Sequence, residues 1–342
     1  MIIQLKKEIQ DQEYQKLLNL LKNNSFKTRS VETQLGRYIL ALGNDNFDIR
    51  IVGNLPGVED VHAVNDKHLL VSSKWKTSPT QISLGNGTSI GGGDFTLIAG
   101  PCAIEDKDKT EQTADFLKGQ NIGIMRGGVF KPRSSPYSFR GTGLEGLKYF
   151  SEICHERGIK VVTEVMQPEM IEAMYPMTDV FQVGARNSQN FNLLDELGRL
   201  DKPVLLKRGL SGTLDELLYS AEYVFSGGNE QIILCERGIR TFEKAYRNTL
   251  DLNIIPLLKE KTHLPVIVDP SHGTGIRNLV EPMALAAIMT GADGIMVEIH
   301  PSPEKAMSDA KQTLGFEEMS ILIQKIHKTI RFRQNELFAK KF

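Results

Sequence analysis

The sequence predicts an α/β protein, a (β/α)₈ TIM barrel preceded by a small ferredoxin-like α+β domain. Three observations predict this fold. From Phe95 onward, short apolar strands alternate with helical stretches eight times over about 240 residues, as in such barrels. The preceding residues follow a different order, βαββαβ, which is typical of a ferredoxin-like sandwich. Polar or charged residues follow nearly every strand of the repeating part, where barrel enzymes carry their reactive groups.

Length and composition agree with a globular protein of two domains. The 342 residues suit one barrel of about 250 residues plus a small domain. With 41 Lys and Arg against 42 Asp and Glu, the chain lacks the basic field of a general nucleic-acid binder. The N-terminus lacks a signal-peptide pattern, and no apolar run reaches the roughly 18 residues needed to span a bilayer. We therefore expect a cytoplasmic protein without nucleic-acid or membrane partners.

Three cysteines, Cys102, Cys154 and Cys235, lie far apart in the sequence. Their odd number and the expected reducing compartment argue against a disulfide framework. Each is then either a small buried hydrophobic residue or a reactive or metal-binding thiolate, and the first alternative is the more common.

The first domain is predicted over residues 1–65, followed by a polar linker over 66–80. Its helix begins with Asp11 as the N-cap and carries Tyr14, Leu17, Leu18 and Leu21 at helical spacing. A second short helix is predicted in "NFDIRIVGNL". The four strands are predicted in "MIIQLKK", "FKTRSVETQ", "GRYILALG" and "GVEDVHAV". We find no catalytic cluster in this domain.

The barrel is predicted over residues 81–338 and begins with a hairpin, "QISLGNGTSI", turning at Gly85-Asn86-Gly87. Its helices include "LEGLKYFSEICHERG", "TLDELLYSAEYVFSGG" and "LVEPMALAAIMTGA". A doubly wound open sheet is the alternative, but no GxGxxG motif follows a strand to support it. The eight strands are predicted in "FTLIAG", "IGIMRGG", "KVVTEV", "VFQVGA", "PVLLKRG", "QIILCERG", "PVIVDPS" and "GIMVEIH".

Basic residues recur at the ends of these strands. Each one alone would be read as a solvated loop charge, but strand ends converge on the barrel axis, so the cations should share a pocket. Converging like charges are costly unless an anion fills the site, and this architecture often binds phosphate there. We therefore expect two phosphates, or a phosphate and a carboxylate, to bind. The residues are Arg126, Lys131, Arg133, Arg186, Lys207, Arg208 and Arg237.

A second set at the same strand ends is Cys102, His272, Glu298 and Asp309. A thiolate, an imidazole and two carboxylates together suit a divalent transition metal. No close CxxC spacing links them, and each alone is compatible with a structural role. From the residues alone, a metal site and separate structural roles both stay open.

Several separated motifs closely resemble one family of metal-dependent barrel enzymes, the 3-deoxy-D-arabino-heptulosonate 7-phosphate (DAHP) synthases in their short form. The motifs are "AGPCAIE", "RGGVFKPRSSPYSFRG", "TEV", "QVGARN", "LLKRG", "CERGIRTF", "VDPSHGTG" and "GIMVEIHPSPEKAMSDA". The resemblance runs from about residue 80 to 335. It implies condensation of phosphoenolpyruvate with erythrose 4-phosphate at the entry to the shikimate pathway.

The related 3-deoxy-D-manno-octulosonate 8-phosphate synthases are the first alternative. Their loop after the second strand typically reads Lys-Ala-Asn-Arg, whereas this chain has Lys131-Pro132-Arg133-Ser134. Their metal-independent members carry Asn at the position of Cys102, so the cysteine implies metal dependence. Two further alternatives are a Schiff-base aldolase with Lys207 as nucleophile and a non-catalytic sugar-phosphate sensor.

The resemblance also implies roles for single residues. Lys131, Glu164 and His272 would be catalytic, with Lys131 acting on the aldehyde and either Glu164, His272 or the metal helping water. The metal ligands would be Cys102, His272, Glu298 and Asp309. Erythrose 4-phosphate would meet Arg133 and Ser134 at its phosphate and Lys131 and Pro132 at its aldehyde. Phosphoenolpyruvate would be bound by Arg126, Lys131, Ala185, Arg186, Lys207 and Arg237.

Cofactor and partners follow from the same resemblance. A divalent ion is implied, and Mn, Fe, Co and Zn all suit such ligands, with Mn favoured. The first domain resembles a ferredoxin-like regulatory domain, which implies feedback inhibition by Tyr or Phe. The alternatives are a purely structural domain and an all-helical chorismate mutase domain, and the strands beside Leu35-Gly36 argue against the latter. A homotetramer is expected.

Overall fold

A four-stranded antiparallel sheet forms the start of the chain. Its strands are β1 (Ile2–Leu5), β2 (Lys27–Glu32), β3 (Arg37–Leu42) and β4 (Val58–His62), in the order β2-β3-β1-β4. The helices α1 (Asp11–Asn23) and α2 (Arg50–Gly53) pack on it and bury Leu17, Leu21 and Val52. The predicted βαββαβ order is confirmed. The structure, a computed structural model, describes residues 1–44, 47–131 and 137–337.

One detail of the first helix was predicted wrongly. The N-cap of α1 is Gln10, and Asp11 is the first helical residue. Glu13 provides the reason, because its carboxylate accepts the backbone N–H of Gln10 at 3.2 Å and so fixes the helix start one residue earlier. Asp11 still lies where a negative charge is favourable, in the first turn.

Residues 66–80, which the sequence predicts as a polar linker, lie against the later part of the chain. Leu70, Val71 and Trp75 are buried, and the Trp75 indole N–H donates to the Leu70 carbonyl at 2.8 Å. The carboxylate of Glu222 accepts three consecutive backbone N–H groups, those of Leu69, Leu70 and Val71, at 2.9 to 3.1 Å. The segment is therefore anchored by main-chain hydrogen bonds as well as by its apolar side chains.

A two-stranded hairpin and a closed parallel barrel follow, as predicted. The hairpin strands are β5 (Gln81–Gly85) and β6 (Thr88–Gly91). The first and last barrel strands pair directly, with Gly100 opposite Glu298. The barrel strands are β7 (Thr96–Gly100), β8 (Ile124–Arg126), β9 (Lys160–Val165), β10 (Val180–Val183), β11 (Val204–Lys207), β12 (Ile232–Glu236), β13 (Val266–Val268) and β14 (Gly294–Glu298).

Helices surround the barrel and bury their apolar faces on its strands. The N-cap of the third helix is Asp106, which accepts the Lys109 N–H, and Thr213 caps the seventh in the same way. The helices are α3 (Lys107–Gly119), α4 (Gly143–Glu156), α5 (Ile171–Met174), α6 (Phe191–Gly198), α7 (Leu214–Ser226), α8 (Ile254–Lys261), α9 (Pro270–Thr274), α10 (Arg277–Thr290) and α11 (Phe316–Phe332). In residues 1–44, 47–131 and 137–337, no helix is long and apolar enough to cross a bilayer.

The barrel interior is a separate apolar core that is closed at one end. Ile98, Ile124 and Leu205 are among the inward-facing side chains, and Ile82 and Ile90 of the hairpin pack against them. The hairpin therefore covers the end of the barrel at which the strands begin. The opposite end, where the strands finish, carries the polar residues.

His263 lies in the seam between residues 66–80 and the barrel. Its Nε2–H donates to the Leu70 carbonyl at 2.9 Å, and its Nδ1 accepts from the Thr80 hydroxyl at 2.7 Å. Its ring packs edge-on to Trp75 and Phe225. Burial lowers the pKa of His263 to about 4, so the ring is neutral in the folded protein at neutral pH.

We expect this histidine to make folding sensitive to acid. Because the pKa of His263 is lower in the folded chain than in the unfolded chain, protons bind the unfolded chain preferentially between about pH 6.5 and 4. The free energy of unfolding should therefore fall by about 2 kcal/mol between pH 7.5 and 5 from this group alone. His263→Gln, which can offer the same donor and acceptor without titrating, should flatten that slope in denaturant titrations. The exposed-site variant His155→Gln is the control, and an equal slope in His263→Gln and wild type would contradict the prediction.

Candidate functional site

A cavity of about 320 Å³ opens at the end of the barrel where the strands finish. Within the described part of the chain, seven basic side chains line it and only two carboxylates do, Glu164 and Asp309. The basic residues are Arg126, Lys131, Arg186, Lys207, Arg237, Arg240 and Arg247. Such an excess of positive charge favours ligands that carry several negative charges.

Arg126 ends β8 and lies at the floor of the cavity. Its Nη1 donates to the Pro101 carbonyl at 2.7 Å and contacts the Glu298 carboxylate at 3.2 Å. Its Nε is buried and has no hydrogen-bond partner among the described residues. A buried donor is costly when unpaired, so this nitrogen favours an acceptor atom from a ligand in the cavity.

Cys102, His272, Glu298 and Asp309 come together beside this floor. One potential ligand atom from each lies within 4.8 Å of the others. His272 Nε2 is 3.1 Å from Glu298 Oε1 and 3.6 Å from Asp309 Oδ2, and Cys102 Sγ is 3.3 Å from the same Asp309 oxygen. Four residues from three separate strand ends and a loop thus converge on one point.

Asp269, to which the sequence analysis assigned no role, orients two of these groups. It follows the strand β13 directly and caps α9, where one carboxylate oxygen accepts the His272 backbone N–H at 2.9 Å. Its other oxygen accepts His272 Nδ1–H at 2.7 Å and also binds the Lys207 ammonium. Although burial alone would raise it, the pKa of Asp269 lies well below its usual value because of His272 and Lys207. The three-residue spacing from Asp269 to His272, as in an N-cap, was a signal that could have revealed this pair.

The donor set fits a divalent transition metal. With Nδ1 protonated by its bond to Asp269, His272 presents the Nε2 lone pair to the other three donors. Burial lowers the pKa of His272, so the neutral, ligating form is favoured. Burial, followed by the charge of Glu298, raises the pKa of the Cys102 thiol to about 11. A thiolate there needs a compensating cation, which a metal ion would supply.

Glu164 lies on β9, and Gly184, the residue that follows β10, leaves room for its carboxylate at the cavity. A Cβ atom on Gly184 would lie 2.0 Å from the Glu164 carboxylate, so any larger residue would displace this acid. Lys131 lies nearby, with its ammonium donating to the Cys102 carbonyl at 3.0 Å. The acid and the lysine therefore face the same cavity as the metal donors.

The remaining residues of the predicted set fall into two groups. Ala185, Arg186 and Arg237 line the cavity together with Arg126 and Lys207. Pro132, Arg133 and Ser134 lie outside the described residues. The structure therefore brings together the predicted phosphoenolpyruvate and metal sets, whereas the predicted clamp for the second phosphate stays a prediction.

Arg208 belongs to a buried network behind the cavity, although its strand-end position predicted a place in the cavity itself. Its Nη1 contacts Glu236 at 3.0 Å and Asp251 at 2.9 Å. Glu236 also accepts the backbone N–H groups of Gly238 at 2.6 Å and Asp251 at 3.2 Å. This network fixes the turn that carries Arg237. No sequence signal linked Arg208 to Asp251, because 43 residues separate them.

Comparison with known proteins identifies relatives over nearly the whole chain. The model of the DAHP synthetase I family matches residues 78–332. Phospho-2-dehydro-3-deoxyheptonate aldolase of Thermotoga maritima is 45% identical over 329 residues, 96% of this chain and 97% of that protein. Its crystal structure, described as DAHP synthase, superposes with a TM-score of 0.76 over 96% of both chains at 44% identity. A 2-dehydro-3-deoxyphosphooctonate aldolase of Syntrophobacter fumaroxidans is 33% identical and covers 72% of this chain and 91% of its own.

We expect Arg208→Met to destabilise the protein strongly. The substitution leaves the fully buried Glu236 carboxylate without its cation, which typically costs about 3–5 kcal/mol. The matched control is Arg199→Met, which removes an exposed arginine from its ion pair with Glu196 and should cost no more than about 1 kcal/mol. Both values can be measured as free energies of unfolding in denaturant. A similar small loss in the two variants would contradict the role given to the network.

Proposed function

The chain belongs to the DAHP synthetase I family, and we propose that the cavity at its barrel mouth is the site at which it condenses phosphoenolpyruvate with D-erythrose 4-phosphate. The protein catalyses the first step of the shikimate pathway, in which these substrates and water give DAHP and phosphate. The observation that carries the proposal is the position of the four metal donors beside a cavity lined mainly by cations.

Phosphoenolpyruvate is assigned to the deep part of the cavity. Arg126, Lys207 and Arg237 are all nearly buried there, and the unpartnered Arg126 Nε offers a further donor. The planar guanidinium of arginine can bind two carboxylate or phosphate oxygens at once, whereas the lysine ammonium acts as a point charge. Fixing both anionic ends would orient the C3 carbon of the enol phosphate toward the second substrate.

The chemistry then needs a better electrophile and an added water. As C3 attacks the aldehyde carbon and a C–C bond forms, Lys131 is placed to give a proton to the aldehyde oxygen. Water adds to C2, where cationic character develops, and loses a proton to a base, for which we propose Glu164; His272 has no free nitrogen once Nδ1 is bonded to Asp269 and Nε2 faces the metal donors. Cleavage of the bond between C2 and the phosphate oxygen then leaves the ketone and releases phosphate. A divalent ion held by Cys102, His272, Glu298 and Asp309 would polarise the aldehyde carbonyl as a Lewis acid.

The ion pair of Lys207 disfavours the Schiff-base alternative. Its ammonium is bound to the buried Asp269 carboxylate, and a nucleophilic amine would have to give up that pair and its proton. Lys207 is therefore proposed as a cationic ligand of phosphoenolpyruvate. Within the proposal Mn is the favoured ion, and Fe, Co and Zn are compatible with the same donors.

The proposal extends to the other parts of the chain. We assign residues 1–65 to a regulatory domain, 66–80 to a linker and 81–338 to the catalytic barrel. The support for a regulatory role is the ferredoxin-like sheet of the first domain, with strand order β2-β3-β1-β4. Feedback inhibition by Tyr or Phe, a homotetramer and a cytoplasmic location belong to the same proposal.

The substrate assignment can be tested by following phosphoenolpyruvate consumption. Activity should require erythrose 4-phosphate and exceed that with arabinose 5-phosphate, and it should disappear on metal removal and return with Mn²⁺. A preference for the five-carbon sugar would overturn the acceptor, and full activity in the metal-free protein would overturn the metal site.

Cys102→Ser tests the ligand set with a matched control. Because loss of an outer partner of a metal ligand already costs about 10–100-fold, loss of the ligand itself should lower kcat/KM at limiting Mn²⁺ by more than about 100-fold. Cys154→Ser, at a buried cysteine on α4 outside the cavity, should leave the metal dependence unchanged. Equal metal dependence of the two variants would show that Cys102 is not a ligand.

Regulation can be tested on the full chain. Tyr or Phe added at increasing concentration should lower the rate of phosphoenolpyruvate consumption, because binding to the first domain would favour one arrangement of the domains over another. Trp serves as the comparison ligand. No change in rate with either Tyr or Phe would contradict the regulatory assignment.

A further inference from the structure

The loop that follows β12, residues 239–249, is closed on itself and attached to the metal donors. Ile239 and Thr249 exchange two backbone hydrogen bonds, at 3.0 and 2.9 Å, which close the loop at its base. The Arg247 backbone N–H donates to the Thr274 carbonyl at 2.9 Å. The Asn248 side chain donates to the His272 carbonyl at 2.9 Å. The end of this loop is thus bound to the segment that carries His272.

Arg247 connects the loop with two further donors. Its Nη1 lies 3.3 Å from Asp309 Oδ2 and donates to Gln312 Oε1 at 3.1 Å. Gln312 in turn donates from Nε2 to Glu298 Oε2 at 2.6 Å. One guanidinium therefore contacts Asp309 directly and reaches Glu298 through a single buried amide.

A glycine leaves the space that the aliphatic part of the Arg247 side chain occupies. Gly275 has φ of +71°, and a Cβ atom on it would lie 2.4 Å from the Arg247 Cβ. The absence of a side chain there lets the arginine stem lie against the backbone after α9. Asp309 itself has φ of +57°, a conformation that is unfavourable for most residues and is kept only when its surroundings hold it.

We propose that Arg247 and Gln312 are positioning residues for the metal site. Gln312 holds Glu298 Oε2, so that Oε1 faces His272. Arg247 contacts Asp309 at Oδ2, the oxygen that also lies next to Cys102 and His272, and so fixes where that oxygen lies. The inference rests on the proposed function, since it presumes that these four residues hold the ion. Arg247 also lines the cavity, so it links the substrate pocket with the geometry of the ligands.

Geometry and charge make opposite predictions for Arg247. A positive charge near a cation site repels the ion, so charge alone would make its removal tighten metal binding. Positioning makes its removal weaken binding, because two carboxylates lose their orientation. Arg247→Lys keeps the charge and loses the planar pair of donors, which separates the two effects. Gln312→Leu removes the bridge to Glu298 without changing any charge.

The experiment measures the Mn²⁺ dissociation constant of the full chain by competition with a fluorescent chelator. Arg247→Lys and Gln312→Leu should each raise it about 10–100-fold, as for other outer partners of metal ligands. The control is Arg240→Lys, the same change in the same loop at a residue that lines the cavity without contacting a metal donor in the described chain. It should change the constant less than about twofold.

A second readout uses Co²⁺, whose absorption reports the cysteine ligand and the coordination geometry. Wild type and Arg240→Lys should give the same cobalt spectrum, whereas Arg247→Lys and Gln312→Leu should shift it. Unchanged Mn²⁺ affinity and spectra in both of those variants would overturn the positioning role while leaving the metal site intact. A wild-type protein that binds neither ion, or a cobalt spectrum that survives Cys102→Ser, would overturn the proposed site and this inference together.

Discussion

The pairing of the first barrel strand with the last is the constraint on which the site depends. The register of β7 against β14 places Gly100 opposite Glu298, so that Cys102, two residues further on, lies next to that carboxylate. The same closure places β13, and with it Asp269 and His272, on the other side of Glu298. A slip of this register would separate Cys102 from Glu298, which lie about 200 residues apart in the chain. The four side chains therefore come together only when the barrel closes in this register.

Three cations of the cavity are each paired with an acid of the protein, which offsets part of their mutual repulsion. Arg126 contacts Glu298, Lys207 contacts Asp269 and Arg247 contacts Asp309. Each acid also contacts a second group. Glu298 and Asp269 both contact His272, and Asp309 contacts Cys102. The proposed metal donors and the proposed substrate-binding cations therefore belong to one network of charged contacts.

The sequence predicted the barrel strands well because nearly every one is an apolar run followed by a polar residue. These polar residues mark the end of the barrel at which the cavity opens. It also predicted that Cys102, His272, Glu298 and Asp309 lie together, since strand ends of a closed barrel meet, whereas their role as metal ligands followed from the family resemblance and stays a proposal. It could not assign Gln312 or Arg247, because their importance lies in contacts between distant loops that no local pattern encodes. Arg208 shows the opposite error: its position at a strand end was read correctly, but the side chain turns away into a network with Glu236 and Asp251. The N-cap of the first helix was misplaced by one residue because Glu13 accepts the backbone N–H of Gln10, three residues before it, and so fixes Gln10 as the cap.

The hairpin β5–β6 limits how ligands reach the cavity. Ile82 and Ile90 close the barrel where its strands begin, and the interior above them is filled with aliphatic side chains. Among residues 1–44, 47–131 and 137–337, the cavity therefore opens only at the end of the barrel where the strands finish. Arg126, Lys207 and Arg237 lie deep beneath it, whereas Arg186 and Arg240 are exposed at its rim. A ligand held by the deep cations therefore lies farther from solvent than a group held at the rim, and its exchange with solvent passes Arg186 and Arg240.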